Sequence, residues 1–432
     1  MLKAGFSRID VTPPLGSFVA GDFSARYSKT VLDPLYLNAL ALSYGDEKAL
    51  IIACDFIYIR RTYSDEIRAM IAERVSIPAD NVMLCSLHQH SSIRISHSDT
   101  KANNVMRDTA YLSVLTRKFG DVAVMAMEDL KEAELSAGIQ ETAEKLAFIR
   151  RYYMKDGTIA TNPIGKYLEV DRPYAEADNN VRVLRFKRKE GNDIALVNFS
   201  THADVIHKHL NSADWPGFAR KYVEQDLPGV SCILTVGVQG DSNHCDFTIP
   251  QYKDGYEHCN HMGRVIADAV IKIWDKTESK KVDKLTSEVY VLYNKTRTDG
   301  EEQYDEAVKI LEDHYSGRKV YGGEDYAILS NAQRIKKLRD APIYQKVPIS
   351  VINLGEVGFV GFGGEPFTRY AEGVRNAVPG RFIIASCCTN GGEGYLPIKE
   401  AFEEGGYEAS ASPFSPNLEE DCVSKAVEML NR

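Results

Sequence analysis

The sequence has no basic block, no long apolar run and no nucleotide-binding glycine pattern, and each absence removes a class of function. Lys and Arg number 52 against 61 Asp and Glu, a formal net charge of −9, so nothing in the balance suits a phosphate backbone. No apolar stretch approaches the roughly 18–20 residues that a membrane-spanning helix requires. The opening residues, Met1 to Arg8, lack the basic-then-apolar order of a secretory signal. Eight cysteines in 432 residues are too sparse for a disulfide framework and read as reduced thiols, which points to the cytoplasm. No Gly-x-Gly-x-x-Gly opens a helix after a strand, and no Walker Gly-Lys-Ser/Thr occurs. The run Gly240, Asp241, Ser242, Asn243 lacks the Gly-x-Ser-x-Gly of a nucleophile elbow. What remains is a globular composition without a low-complexity linker, expected to form one domain over residues 1–432.

Three stretches share a layout. Residues 37–44 and 49–55 read as a hairpin turning at Gly45-Asp46, followed by a helix over 63–75 and a strand ending at His88. Residues 181–187 and 194–202 repeat the hairpin, with a helix near 218–225 and a strand over 232–238. Residues 349–353 and 357–365 begin a third copy, with a helix over 367–377 and a strand over 382–386. A buried helix is expected over 255–276, and a charged, mostly helical stretch over 298–339, broken at Ser316-Gly317 and Gly322-Gly323. The expected fold class is therefore α/β, with mixed sheets flanked by helices and built from about three hairpin-helix-strand units.

This layout gathers polar residues at strand ends. Asp55, His202 and Glu365 close second strands; His88, Asp241 and the loop carrying Tyr395 follow third strands. Ligands collect beyond strand carboxyl ends in open sheets with helical crossovers. His88 and His90 stand one residue apart, so on a strand both imidazoles would leave the same face, a usual way to supply zinc. His90 can be a ligand or a neighbouring acid or base. Glu365 follows a glycine run and can ligate, or it can cap a helix opened by Pro366. Asp55 can orient an imidazole or finish a buried strand. His207 and His209 are expected to face solvent. His244-Cys245 with His258-Cys259 and His261 matches no structural-zinc spacing, so no second zinc is expected there.

Residues 4–14, Ala-Gly-Phe-Ser-Arg-Ile-Asp-Val-Thr-Pro-Pro, resemble the Ala-Gly-x-Gly-Arg-x-Asp-Ile-Thr-Pro-Pro opening of neutral (alkaline, non-lysosomal) ceramidases. His88, Gln89, His90 and Ser91 are similar to that family's Thr-His-Thr-His-Ser. Residues 199–202 resemble its Phe-x-x-His, and 239–241 its Gly-Asp-x-Ser-Pro-Asn loop. Gly364-Glu365 and residues 394–400 resemble its two C-terminal catalytic-domain motifs. The order is kept along nearly the whole chain.

The resemblance implies a zinc amidase that splits an N-acyl bond, with one Zn2+ held by His88, His202, Glu365 and the phenolic oxygen of Tyr395. It makes His90 the adjacent acid/base or oxyanion contact, and Arg150 a contact for the substrate's polar end. The loop of Asp241, Ser242 and Asn243 would meet substrate. Two departures stand out: Ser92, Ile93, Arg94 and Ile95 replace the family's glycines, and Ser242, Asn243 and His244 replace Ser-Pro-Asn. The family's immunoglobulin-like C-terminal domain is not expected within this sequence. The expected substrate is a small molecule, an N-acyl amide of lipid or sugar-like character. An ester, lactone or carbohydrate/polyol substrate at the same site is the alternative. His90, in its ordinary titration range, would protonate the leaving amine.

Overall fold

The computed structural model describes residues 1–21, 25–96, 108–319 and 326–432. Its first unit runs β1 (Leu2–Asp10), β2 (Tyr36–Tyr44), β3 (Glu47–Cys54), α1 (Arg61–Val75), β4 (Val82–Ser86) and α2 (Thr109–Glu128). The second runs β5 (Lys131–Glu141), β6 (Asn180–Arg188), β7 (Asp193–Phe199), α3 (Asp214–Asp226), β8 (Val230–Val236) and α4 (Gly255–Trp274). The third opens with β9 (Thr286–Lys295) and an inserted helix pair, α5 (Tyr304–Tyr315) and α6 (Tyr326–Arg339). It continues through β10 (Tyr344–Leu354), β11 (Val357–Phe362), α7 (Thr368–Ala377), β12 (Phe382–Ser386) and α8 (Leu418–Leu430).

One strand order appears three times: β4-β3-β2-β1, β8-β7-β6-β5 and β12-β11-β10-β9. In each unit the final strand lies parallel to its neighbour, because a helix carries the chain back to the strand's starting end. Lead strands β1 and β5 pair antiparallel, Lys3 with Glu132, and fuse the first two units into one sheet. The third unit keeps a four-stranded sheet of its own.

The expected hairpin-helix-strand units are present, each longer than the sequence pattern indicated. Every unit has a lead strand before the hairpin and a closing helix after the last strand. Long insertions between lead strand and hairpin hide that part of the repeat. Gly322 and Gly323, expected to break the helical stretch, lie outside the described residues.

Alternation along β2 explains the layering. Leu37, Ala39 and Ala41 face one hydrophobic cluster with Ile67, Ile71 and Phe119 of α1 and α2. Leu40 and Leu42 face the central core, which also receives Ile352, Phe359 and Ile384 from the third sheet. Val351, Val360 and Ile383 turn the other way, toward Tyr370 and Val374 of α7 and Met429 of α8. The two sheets thus face each other across the core, and burial on both faces gives their strands near-continuous apolar runs. No described helix is long and apolar enough to cross a membrane. All eight cysteines are free and buried.

The three units meet at one loop. Edge strands β4 and β8 approach each other, and the segment after β12 is stitched to both. Cys387 N donates to Val236 O (3.3 Å), Ser86 N to Cys388 O (3.2 Å), and Asn390 N to Leu84 O (2.9 Å). Cys388 and Asn390 adopt left-handed φ values of 42° and 55° to make that path.

A buried ion pair adds a second tie. Arg220 of α3 grips Asp55 through both carboxylate oxygens, at 2.7 and 2.6 Å. Asp55 also accepts from Gln89 Nε2 (3.0 Å) and from Tyr36 N (2.8 Å). It therefore completes the end of β3 and holds the residue between His88 and His90, without touching either ring. Asp55→Ala leaves Arg220 buried without its partner and should destabilise the fold by about 3–5 kcal/mol, read by urea denaturation. A loss under about 1 kcal/mol would show that the pair does not tie the units together.

Candidate metal centre

His88 and His90 converge for a reason other than strand alternation. β4 ends at Ser86, and His88 lies beyond it with a left-handed φ of 60°. His88 N donates to Phe56 O (3.0 Å), which turns the chain. Gln89 then bridges in parallel to Ala203, and His90 N donates to Ala203 O (2.9 Å). This bridge lays the segments carrying His88, His90 and His202 side by side. The expected alternation is thus replaced by a turn and a cross-unit bridge.

The rings of His88 and His90 lie 5.0 Å apart between centroids, as do those of His88 and His202; His90 and His202 are 5.7 Å apart. One ligating atom from each of the three falls within 4.8 Å of the others. Every Nδ1 faces a main-chain carbonyl: His88 to Ile57 O (2.9 Å), His90 to Gly21 O (2.9 Å), and His202 to Gln239 O and Ser242 O (2.9 and 2.8 Å). A carbonyl can only accept, so each Nδ1 carries a proton; His90 and His202 keep an Nε2 lone pair, whereas His88 turns its Nε2 toward the Glu365 carboxylate.

Glu365 completes the group. Its Oε2 lies 3.2 Å from His88 Nε2 and 3.4 Å from His202 Nε2. The glycines around it serve close approach: a Cβ on Gly240 would strike Glu365 O at 2.2 Å, and one on Gly364 would strike Gly394 O at 2.5 Å. The capping alternative does not hold. α7 begins at Thr368, and Asp241 Oδ1 accepts from Thr368 N and Oγ1 (2.8 and 2.7 Å).

Burial and charge set the protonation. Burial pulls His88 down, but the Glu365 carboxylate outweighs it and lifts the imidazole to about 9. Burial pushes Glu365 up, and His88 with His202 holds it well below the usual carboxylate range. His202 is lowered by burial and by Arg150. The expectation that His90 titrates in its ordinary range is not met: burial, then His88, brings it to about 3. Among the described residues, His90 Nε2 is buried without a hydrogen-bond partner. Three imidazoles and a carboxylate, with the His88 proton displaced, are a donor set that fits a divalent cation such as zinc.

The insertion in the second unit delivers Arg150. Phe148 and Ile149 pair antiparallel with Asn243 and Ser242, and Arg150 N donates to Asp241 O (2.8 Å). The buried guanidinium puts Nη1 3.4 Å from His202 Nε2 and Nε 2.7 Å from Glu408 Oε1. It also lies 5.0 Å from the Tyr395 ring centroid. Tyr395 pairs with Glu365 in a short parallel bridge, and burial raises its phenol well above the usual value despite Arg150.

Asp241, Ser242 and Asn243 are buried and engaged in the scaffold. Asp241 serves α7, Asn243 bonds Asn162 (2.9 Å) and Cys245 N (3.0 Å), and Ser242 O holds His202. The structure brings their main chain to the centre and turns the Asp241 and Asn243 side chains to internal partners. His207 and His209 are exposed. Glu408, fully buried against Arg150 and Arg151, escaped the sequence reading because nothing distinguishes it from neighbouring acidic residues. The carbonyls behind the imidazoles leave no mark in a sequence at all.

Below about pH 9 a cation entering the cluster must displace the His88 proton. Apparent zinc affinity should therefore rise about tenfold per pH unit from pH 6 and level off near 9, by competition with a chelator of known affinity. A flat profile between pH 6 and 8 would contradict this assignment.

No family model and no curated protein matches the sequence. Solved structures do match. The crystal structure of neutral ceramidase from Pseudomonas aeruginosa superposes with a TM-score of 0.72 at 15% identity, covering 100% of this chain and 75% of that one. A structure described as ceramidase complexed with C2 gives 0.73 at 13% identity, covering 99% and 74%. The mixed α/β architecture of this chain is thus the fold seen in neutral ceramidase structures, as the motif resemblance implied.

Proposed function

We propose that this protein is a zinc-dependent hydrolase of N-acyl amide bonds. One observation carries the reading: the imidazoles of His88, His90 and His202 converge, with the Glu365 carboxylate against the Nε2 atoms of His88 and His202, on the ceramidase fold. His88, His202 and Glu365 would hold the zinc, with the Tyr395 phenolic oxygen as the further ligand. When bound, the ion supplies Lewis acidity and makes water acidic enough to act as a nucleophile near neutral pH.

The remaining steps belong to the chain. His90 is neutral, its Nδ1 proton committed to Gly21 O, so its Nε2 accepts the proton that attacking water gives up. The resulting imidazolium is unfavourable in its buried place and passes the proton readily to the leaving amine. Arg150 Nη2 has no hydrogen-bond partner among the described residues and is the donor available to the substrate carbonyl oxygen. Glu408 keeps that guanidinium in position and charged.

The test is joint loss. His88→Ala and His202→Ala should each reduce bound zinc from one equivalent to near zero and lower N-acyl amidase kcat/KM by at least about 1000-fold, together with retained folding by circular dichroism. His90→Ala should keep zinc and lose about 100- to 10,000-fold in kcat. Full amidase activity in chelator-stripped protein would refute the reading.

A further inference from the structure

Beside the metal cluster stands a charged chain that neither ligation nor the hydrolytic steps use. The bridge between Gln89 and Ala203 sets Asp204 next to the segment of His90, two residues past His202. His244 Nδ1 lies 3.1 Å from Asp204 Oδ1, and His244 Nε2 lies 3.6 Å from Asp254 Oδ1. Cys245 Sγ is 3.3 Å from the same Nε2. Asp254 in turn caps α4 through Gly255 N (2.8 Å). The line thus runs from a helix end, through a buried imidazole, to a carboxylate two residues past His202.

The exposure along that line has a direction. The His244 side chain is 2% exposed, whereas Asp204 keeps 18% of its own. One Asp204 oxygen is taken by His244, and among the described residues no hydrogen bond reaches the other. Burying an imidazole between two carboxylates is costly, and the arrangement fixes one carboxylate rigidly with an oxygen to spare. The Arg150 guanidinium also lies against His202. His202 thus has one held cation against its ring and one held anion two residues further along the chain.

Resting on the amidase reading above, we infer that Asp204, braced by His244 and Asp254, is an anionic subsite that accepts hydrogen bonds from hydroxyl or ammonium groups of the substrate. The substrate class is then a small, donor-bearing N-acyl compound, such as an N-acylated amino sugar, amino alcohol or diamine. A site built around a buried acceptor discriminates strongly against an analogue that lacks the matching donor.

The experiment compares three N-acetyl amides of similar size on the zinc-loaded full chain. One carries hydroxyl groups, one an ammonium group, and one only an alkyl chain. The wild type should favour a donor-bearing arm over the alkyl arm at least tenfold in kcat/KM. Asp204→Ala should lower that ratio about 10- to 100-fold, mainly through KM, with zinc still at one per chain. Asp204→Asn, which preserves shape, should lower the ammonium preference more than the hydroxyl preference. An unchanged ratio, or loss of zinc in both variants, overturns the subsite. If the wild type binds zinc yet cleaves no arm, the amidase reading fails separately. Calorimetric binding of the same three compounds then decides the subsite, and equal or undetectable binding in wild type and Asp204→Ala counts against it.

Discussion

Each imidazole of the cluster is anchored through Nδ1 to a main-chain carbonyl, and the chemistry of the centre follows from that anchoring. A carbonyl holds the proton on Nδ1, which leaves Nε2 as the atom each ring offers, and three such rings stand together with an anionic carboxylate. The Glu365 carboxylate holds a second proton on His88. Burial, then the neighbouring His88, keeps His90 neutral, which separates its role from that of its neighbour two residues earlier. Two histidines of one motif thus receive opposite protonation from their surroundings.

The fold exists to bring those anchors together. Ile57 and the His88–His90 segment come from the first unit, His202 and Gln239 from the second, and Glu365 and Tyr395 from the third. Each lies beyond the carboxyl end of a strand in the repeated four-strand pattern, and the loop after β12 ties the three ends with main-chain hydrogen bonds. The Asp55–Arg220 pair reinforces the junction between the first two units behind Gln89. No single unit holds enough ligands to form the centre alone.

Much of this was legible in the sequence, for physical reasons. Continuous apolar runs such as 49–54 and 357–362 read as strands because both faces of each sheet are covered. Polar residues at the ends of those runs stood out, so His88, His202 and Glu365 were candidates from the start. The lead strands β5 and β9 were not, because their mixed polar patterns follow from partial exposure. His88 and His90 were paired correctly on a mistaken premise, since a left-handed residue and a bridge to Ala203 replace the expected strand. Glu365 was ambiguous until Asp241 emerged as the partner of α7. Glu408 and Asp204 became visible only in three dimensions, where their partners come from distant parts of the chain.

The central claim is that side chains from three separate units share one divalent cation. X-ray absorption at the zinc K-edge of the purified, zinc-loaded chain tests it most directly. The account predicts one zinc with imidazole scattering from at least two histidines and nitrogen or oxygen neighbours at about 2.0–2.1 Å. A first shell of water oxygens alone, without imidazole scattering, would contradict it.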